Sequence, residues 1–414
     1  MNLLQKEQKA RLSTLSTPLT DSASCLSFSY PIQQGRMRFA CTQENLLQGL
    51  SLVGHTAGKS ANLPILSHVL LKIEEGNLKL STTNLEMAVS AIVRGRVEQE
   101  GSWTVPAKLF QDYVSLLSPG KIELALEGDS LEIRADGKTT KMKGLPASEF
   151  PFIPKLATEG GYSLKASALK EAISQVGFAV SASESRPELA GVACFFQGEV
   201  GGNDRCVFAA TDSYRLSERV LALEKSPNTA GVKCIVPARA MNEVGRLLGA
   251  YKDEMSVPET VEWQMAESQF VVTYGNVELV SRLIDGSFPD YRQIIPTQFK
   301  TTAIVSRQEL AKAIRAASLF ARQGLYDVHV EIRASTLVIT SADSGTGTHT
   351  AELAADVQGE PNRVLLNYKY VMDGLNALSH DKVSFQVIDA MNPVVMRPGE
   401  KESPFQYIVM PIRQ

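Results

Sequence analysis

Three stretches of this chain repeat one pattern, and that repetition limits the possible folds more than any other feature. The stretches "WTVPAKLFQDYVSLL", "CIVPARAMNEVGRLL" and "RVLLNYKYVMDGLNAL" are each a short β-type run entering a helical pattern of apolar residues. Aligned on the helix, Pro106, Pro237 and Asn367 are equivalent, 131 and 130 residues apart. A second set agrees: "LKLSTTNLEMAVSA", "CVFAATDSYRLSERV" and "LVITSADSGTGTHTAEL" place Asn84, Asp212 and Asp343 at spacings of 128 and 131 residues. A third set carries apolar i, i+4 pairs on helical patterns: Leu46/Leu50, Leu169/Ile173 and Leu310/Ile314. Unit ends recur as well, as "LPASEFPFIP" and "LIDGSFPDYRQIIP".

A period this long is not that of a solenoid, and each unit can hold its own core. Within a unit the order reads strand, helix, several strands, strand, helix, several strands. The expectation is an α+β protein of three similar domains, at 37–157, 158–299 and 300–414, each with two helices packed on mainly antiparallel sheet. Residues 1–36 are rich in Ser, Thr and Gln and have no continuous apolar run of a secretory signal. They read as a disordered extension or an upstream start unused in the cell, with Met37 opening the first strand.

Several function classes are disfavoured. No stretch approaches the 18 or more apolar residues of a membrane span. The five cysteines lack C-x-x-C spacing and sit mostly in apolar runs, which reads as free thiols in a reducing, cytoplasmic setting. The five histidines show no metal-ligand spacing, so neither metal nor cofactor is expected. "GHTAGKS" at 54–60 imitates a phosphate-binding loop, but Gly54 and Gly58 enclose one residue too few, and the stretch runs from helix to strand, not strand to helix. "DSGTGTHT" lacks a nucleophile elbow, and Asp212 and Asp343 recur by repeat position, which favours turn or cap roles. No catalytic residue is assigned.

Charge is distributed unevenly. The six predicted helices and their flanks carry twelve basic residues (Lys59, Lys108, Lys165, Lys170, Arg239, Arg246, Lys252, Arg307, Lys312, Arg315, Arg322 and Lys369) against six acidic ones (Glu44, Asp112, Glu171, Glu243, Glu309 and Asp373). With a formal net charge of −3, the remainder therefore carries −9. Solvated helix faces would account for any one helix, but all six together predict a basic helical surface and an acidic sheet surface. Base-reading motifs are missing, so such a surface would hold phosphates without sequence preference.

The motifs "LPILSHVLLKI", "STTNLEMAVSA", "TVPAKLF", "SRPELAGV", "ATDSYRLS", "IVPARAMNEV", "SFPDYRQIIP", "YVMDGLNAL" and "YIVMPIR" together resemble the bacterial DNA polymerase III β-subunit family, the sliding clamps, from Met37 to the end. The resemblance implies a head-to-tail homodimer, a closed ring whose helices line a hole for duplex DNA and whose sheets lie outside. It makes Lys59, Lys170, Arg186, Arg239, Arg246, Lys312 and Arg315 the DNA-facing set, with Pro187 and Glu188 where relatives often have aromatics. It implies an apolar pocket for partner peptides built from Leu189, Thr211, Ser213, Tyr214, Arg215, Leu216, Pro289, Gln293, Ile294, Pro393, Ile408, Met410, Pro411, Ile412 and Arg413. There Arg215 and Arg413 would pair with peptide carbonyls or acids. Tyr214 stands where histidine is frequent and Gln293 where arginine is frequent. Subunit contacts would involve Met142, Leu319 and Phe320. Implied partners are the DNA polymerase III α subunit, an ATP-driven clamp loader, and other proteins with clamp-binding motifs (repair polymerases, ligase, mismatch repair). Two other readings stay open at this point: a peptide-binding scaffold of the same fold that does not encircle DNA, and an enzyme whose site the sequence hides.

Overall fold

The computed structural model describes residues 37–413, except 59–62, 155–159, 184, 197–203, 228–230, 253–256 and 400–402. The described residues contain six α-helices: α1 (Gln43–Val53), α2 (Ala107–Ser115), α3 (Ala166–Val176), α4 (Ala238–Ala250), α5 (Arg307–Ala317) and α6 (Tyr368–Ala377). Between them the order strand, helix, four strands, helix, three strands occurs three times, the first round adding one short strand, Arg96–Gln99. The landmarks take equivalent places. Pro106, Pro237 and Asn367 are the N-cap residues of α2, α4 and α6. Leu46, Leu50, Leu169, Ile173, Leu310 and Ile314 are buried on the inner faces of α1, α3 and α5.

The side-chain oxygen of Asn84 accepts from the amides of Glu86 and Met87 at 3.1 and 2.9 Å. Asp212 accepts likewise from Tyr214 and Arg215 at 2.9 and 3.0 Å, and Asp343 from Gly345 and Thr346 at 2.8 and 3.2 Å. Each of these short polar side chains thus closes the same turn by bonding the backbone just ahead of it. The turn role expected of Asp212 and Asp343 holds, and Asn84 shares it.

Sheet pairing is antiparallel throughout and runs across the unit boundaries. Strand Val277–Arg282, last of the second unit, pairs with Met87–Val93 of the first, with Val280 opposite Ala88. Strand Phe405–Val409, last of the third, pairs with Arg215–Ala222 of the second, with Ile408 opposite Leu216. Merging in this way produces one sheet of eight strands and one of twelve; a five-stranded sheet belongs to the first unit alone. At the ends of the series the same strand positions stay open among the described strands. Lys138–Lys143, last of the first unit, is a sheet edge. Gly347–Gly359, the third-unit counterpart of Met87–Val93, pairs on its second side only through Ala355–Gly359, leaving 347–354 open there.

The helices form a single row. Within each unit they pack as the pairs α1/α2, α3/α4 and α5/α6, and α3 also touches α6. The first and second pairs are joined by α4, whose Arg246 donates to the carbonyls of Ser51 and Leu52 on α1. Apolar burial follows the same plan, with one large core beneath α1–α4 and a second beneath α5 and α6.

Candidate functional site

The junction between the second and third units carries an apolar cluster on the sheet face away from the helices. Leu216 and Ile408, opposite each other across the junction, are buried with Ala193, Phe195, Val207, Ala209, Tyr291 and Val395. Phe288, Ile295 and Phe299, from the segment linking the two units, pack against them. Tyr291 donates its hydroxyl to the Glu218 carboxylate at 2.6 Å. Burial, and then that carboxylate, push the phenol up from its ordinary range, so it stays a donor.

A turn projects from the rim of this cluster. Thr211 donates its hydroxyl to the Arg215 carbonyl at 2.6 Å and accepts the Ser213 amide at 3.1 Å. Ser213 has φ 79°, which a short polar side chain tolerates and which turns the chain outward. Tyr214 is therefore 64% exposed. Its carbonyl accepts the Met410 amide at 2.9 Å, and the Ile412 amide donates to Leu365 at 2.8 Å, which holds Met410, buried Pro411 and Ile412 beside the turn. Arg186 reaches Ser213 Oγ at 3.1 Å and pairs with Glu188, tying the short turn that buries Leu189 to the Tyr214 turn. Ile294 and Gln293 are exposed on a helical turn after Tyr291, Pro289 and Pro393 are half-buried, and Arg413 is exposed.

Four expectations are corrected. Arg215 does not await a peptide: it is only 12% exposed, pairs with Asp212 and with Asp373 of the third unit, and donates to the Phe178 carbonyl. Its guanidinium also stands over the rings of Phe178 and Tyr370. A planar cation with five donors suits such a latch better than a free docking group. Arg246 does not face DNA freely. It pairs with Glu243, and Glu243, buried at the junction of the first two units, also accepts from Thr56 and contacts His55 at 2.7 Å. Arg186 belongs to the groove rim and not to the helix row. Met142 is 5% exposed and buried in the core of its own unit, because its side chain takes the inward parity of that strand.

The other assigned residues fall as follows. Lys170, Arg239, Lys312 and Arg315 are exposed on α3, α4 and α5, with Arg239 3.9 Å from Glu86. Lys59 lies outside the described residues. Leu319, 74% exposed, and Phe320 end the helical turn after α5, where Phe320 stacks on His349 of the open strand edge at 5.8 Å. The sequence reading missed Tyr291, Val395 and Phe195. Tyr291 lies within the quoted "SFPDYRQIIP" and Val395 two residues after the assigned Pro393, but only the folded sheet shows which residues of these stretches face the cluster. Among the described residues no group of His, Cys, Asp or Glu could hold a metal ion, and no helix is long and apolar enough to cross a membrane.

Three family models match the chain, described as the N-terminal, central and C-terminal domains of the DNA polymerase III beta subunit, over residues 37–154, 163–290 and 292–413. Similar curated proteins include the beta sliding clamp of Synechocystis sp., 30% identical over 402 residues, and that of Synechococcus elongatus, 30% identical over 390. Each match covers 91% of this chain and 99% of the relative. The crystal structure of the Bacillus subtilis DNA polymerase sliding clamp superposes with a TM-score of 0.84 at 25% identity, covering 92% of this chain and all of that one. The Thermotoga maritima DNA polymerase III beta subunit gives a TM-score of 0.81 at 27% identity, covering 91% and 100%.

Proposed function

The chain belongs to the DNA polymerase III beta subunit family, and from that premise we propose that it is a sliding clamp, a ring of two copies that encircles duplex DNA and holds the replicative polymerase to it. One observation carries the reading: both internal junctions use the same pair of strand positions in the same register, and at the two ends of the series those positions stay open among the described strands. A second copy offers the missing strand at each end. A heterologous contact repeated by a rotation that closes gives a ring and not a filament.

The register can be worked out. Val280 and Ile408 each lie four residues before an amide that donates to the strand entering the next helix, Ile284 to Ile235 and Ile412 to Leu365. Leu145 makes the same bond to Thr104, which makes Lys141 their counterpart. On the other side Ala88 and Leu216 pair with the residue just before the turn-closing Asn84 and Asp212, and Thr348 pairs with Ala342, just before Asp343. Lys141 of one copy then stands opposite Thr348 of the next, and Thr140 opposite His349. Both of the latter face the helix side, since Thr140 donates to Tyr113 of α2 at 2.8 Å and His349 stacks on Phe320. Exposed Leu319 sits at this contact, and Met142 contributes backbone alone.

Closure turns weak, sequence-independent phosphate contacts from the helix row into retention without grip. Lys170, Arg239, Lys312 and Arg315, with Lys59, are the residues we assign to that surface. The groove around Tyr214, Leu216, Ile408 and Met410 takes apolar partner peptides, with Leu189, Thr211, Ser213, Pro289, Gln293, Ile294, Pro393, Pro411, Ile412 and Arg413 around it. Its partners are the polymerase α subunit, the clamp loader and other proteins bearing the same peptide. The domain limits are 37–157, 158–299 and 300–414, the chain is non-catalytic, and it works in the cytoplasm. The test is synthesis from one primer on a single-stranded circle with loader, ATP, polymerase and excess competitor template. Full-length product that depends on this protein supports the proposal, and short tracts in its presence refute it.

A further inference from the structure

Four free cysteines fall among the described residues, and two of them face each other across a ladder. Strand Val232–Pro237 is the outermost strand of the twelve-stranded sheet and pairs with Gly191–Phe196, placing Cys234 directly opposite Cys194. The Ala238 amide donates to the Ala190 carbonyl at 3.2 Å, four residues along the same register. Bonded pairs alternate along an antiparallel ladder, so Cys194 and Cys234 also form a bonded pair, with Cα atoms about 5.5 Å apart. That is the separation disulfides favour. The Cβ atoms of a bonded pair start near the wide end of the cross-strand range, at about 5.5 Å, and a disulfide needs about 3.5–4.5 Å. An edge strand with one neighbour can make that small approach.

We propose that Cys194 and Cys234 form a cross-strand dithiol that a hydroperoxide converts to a disulfide. Cys234 is only partly buried, whereas Cys194 is fully buried, so oxidant meets Cys234 first. Burial, with the Cys234 and Cys206 thiols adding to it, pushes the Cys194 thiol up and keeps it from initiating. With hydrogen peroxide as the hydroperoxide, the Cys234 thiolate attacks one peroxide oxygen, giving a sulfenic acid and hydroxide, which takes up the proton lost from the thiol and leaves as water. The Cys194 sulfur then attacks the Cys234 sulfur, and its proton leaves with the hydroxyl group as a second water. Two thiols are oxidised by two electrons, and one hydroperoxide is reduced. Cys206 is not the partner, because it stands opposite Phe196. The bond would matter beyond the strand itself. The Ile235 carbonyl accepts the Ile284 amide at 2.9 Å, anchoring the start of the segment that carries Phe288, Pro289 and Tyr291 over the apolar cluster.

Tryptic cleavage separates the three thiols of this unit: Cys194 falls in residues 171–205, Cys206 in 206–215 and Cys234 in 234–239. The full-length protein is treated with hydrogen peroxide, alkylated and digested without reductant. The expected product joins 171–205 to 234–239, and amide exchange in Val232–Pro237 slows by about tenfold or more. In Cys194→Ser, Cys234 stops at a sulfenic acid that a sulfenic-specific probe captures. A link from either cysteine to 206–215, or Cys234 oxidised to sulfinic acid beside a free Cys194 in the unaltered chain, would overturn the proposal.

Discussion

Thr348→Pro tests the ring contact without touching any side chain that packs within one copy. At the internal junction equivalent to it, the Met410 amide donates to Tyr214 and the Val220 amide to Pro404, which makes the intervening Leu216/Ile408 pair a bonded one. Thr348 is the third-unit counterpart of Leu216, so its N–H points off the open edge and away from its hairpin partner Ala342. Proline is tolerated where an edge amide faces solvent, and the isolated copy should fold and melt as before. In the ring the substitution deletes one donor and leaves the Lys141 carbonyl of the next copy unanswered. An unsatisfied buried acceptor costs about 1–3 kcal/mol. Two contacts close the ring, so dimerisation weakens by roughly 2–6 kcal/mol, or roughly 30-fold to 10⁴-fold at 1.4 kcal/mol per decade. Sedimentation equilibrium measures the dissociation constant and circular dichroism the melting temperature. His349→Pro is the contrast: its amide points into the hairpin, so it lowers melting of the single copy too. If Thr348→Pro melts normally and dimerises as tightly as the unaltered chain, the register is wrong.

Three further outcomes follow from the same geometry. Arg246→Met should destabilise the first junction by about 1–3 kcal/mol in denaturant titration, because Glu243 loses its cationic partner inside the fold. Retention on DNA should barely change, and lost retention with unchanged stability would return Arg246 to the DNA-facing set. Tyr214→Ala with Met410→Ala should weaken polymerase binding by about tenfold or more while the dimer persists in sedimentation; unaltered binding refutes the groove. Leu216 is a poorer probe, since truncating a buried leucine costs about 2–5 kcal/mol of stability by itself. His68, within hydrogen-bonding distance of Thr104, is held below its ordinary 6.5 by burial, against a smaller opposing pull from Glu149. A histidine depressed in the fold contributes stability that is complete above its unfolded value and is lost as pH falls towards the folded one. Melting temperature should therefore drop between about pH 7 and pH 5, and drop less in His68→Gln; equal slopes would contradict the assignment.

What the sequence revealed depended on whether a residue's role is local. Asn84, Asp212 and Asp343 each close a turn with the amides two and three residues ahead, so their recurrence in the chain is their recurrence in space. The apolar pairs on α1, α3 and α5 are legible for the same reason, since helix periodicity fixes which side they bury. Roles set by distant chain were not legible. Arg246 resembles any solvated helix arginine until the carbonyls of Ser51 and Leu52 come within its reach. Arg215 lies within a motif that suggests docking, and nothing nearby announces Asp373, which sits 158 residues away on α6. Met142 lies on an edge strand, but the strand's parity turns its side chain into the core of its own unit, which its place in the chain alone does not reveal. Tyr291 and Val395 went unassigned because two segments far apart in sequence must fold onto one sheet face before their burial there becomes apparent.

Enclosure is the claim on which the rest depends, and topology tests it most directly. Protein loaded onto a nicked circular duplex is passed through a gel-filtration column at raised salt, before and after one restriction cut. The account predicts co-elution with the circle and loss within minutes of linearisation, as rings slide off the ends. Retention that is the same on circular and linear DNA, or absent from both after loading, would contradict it.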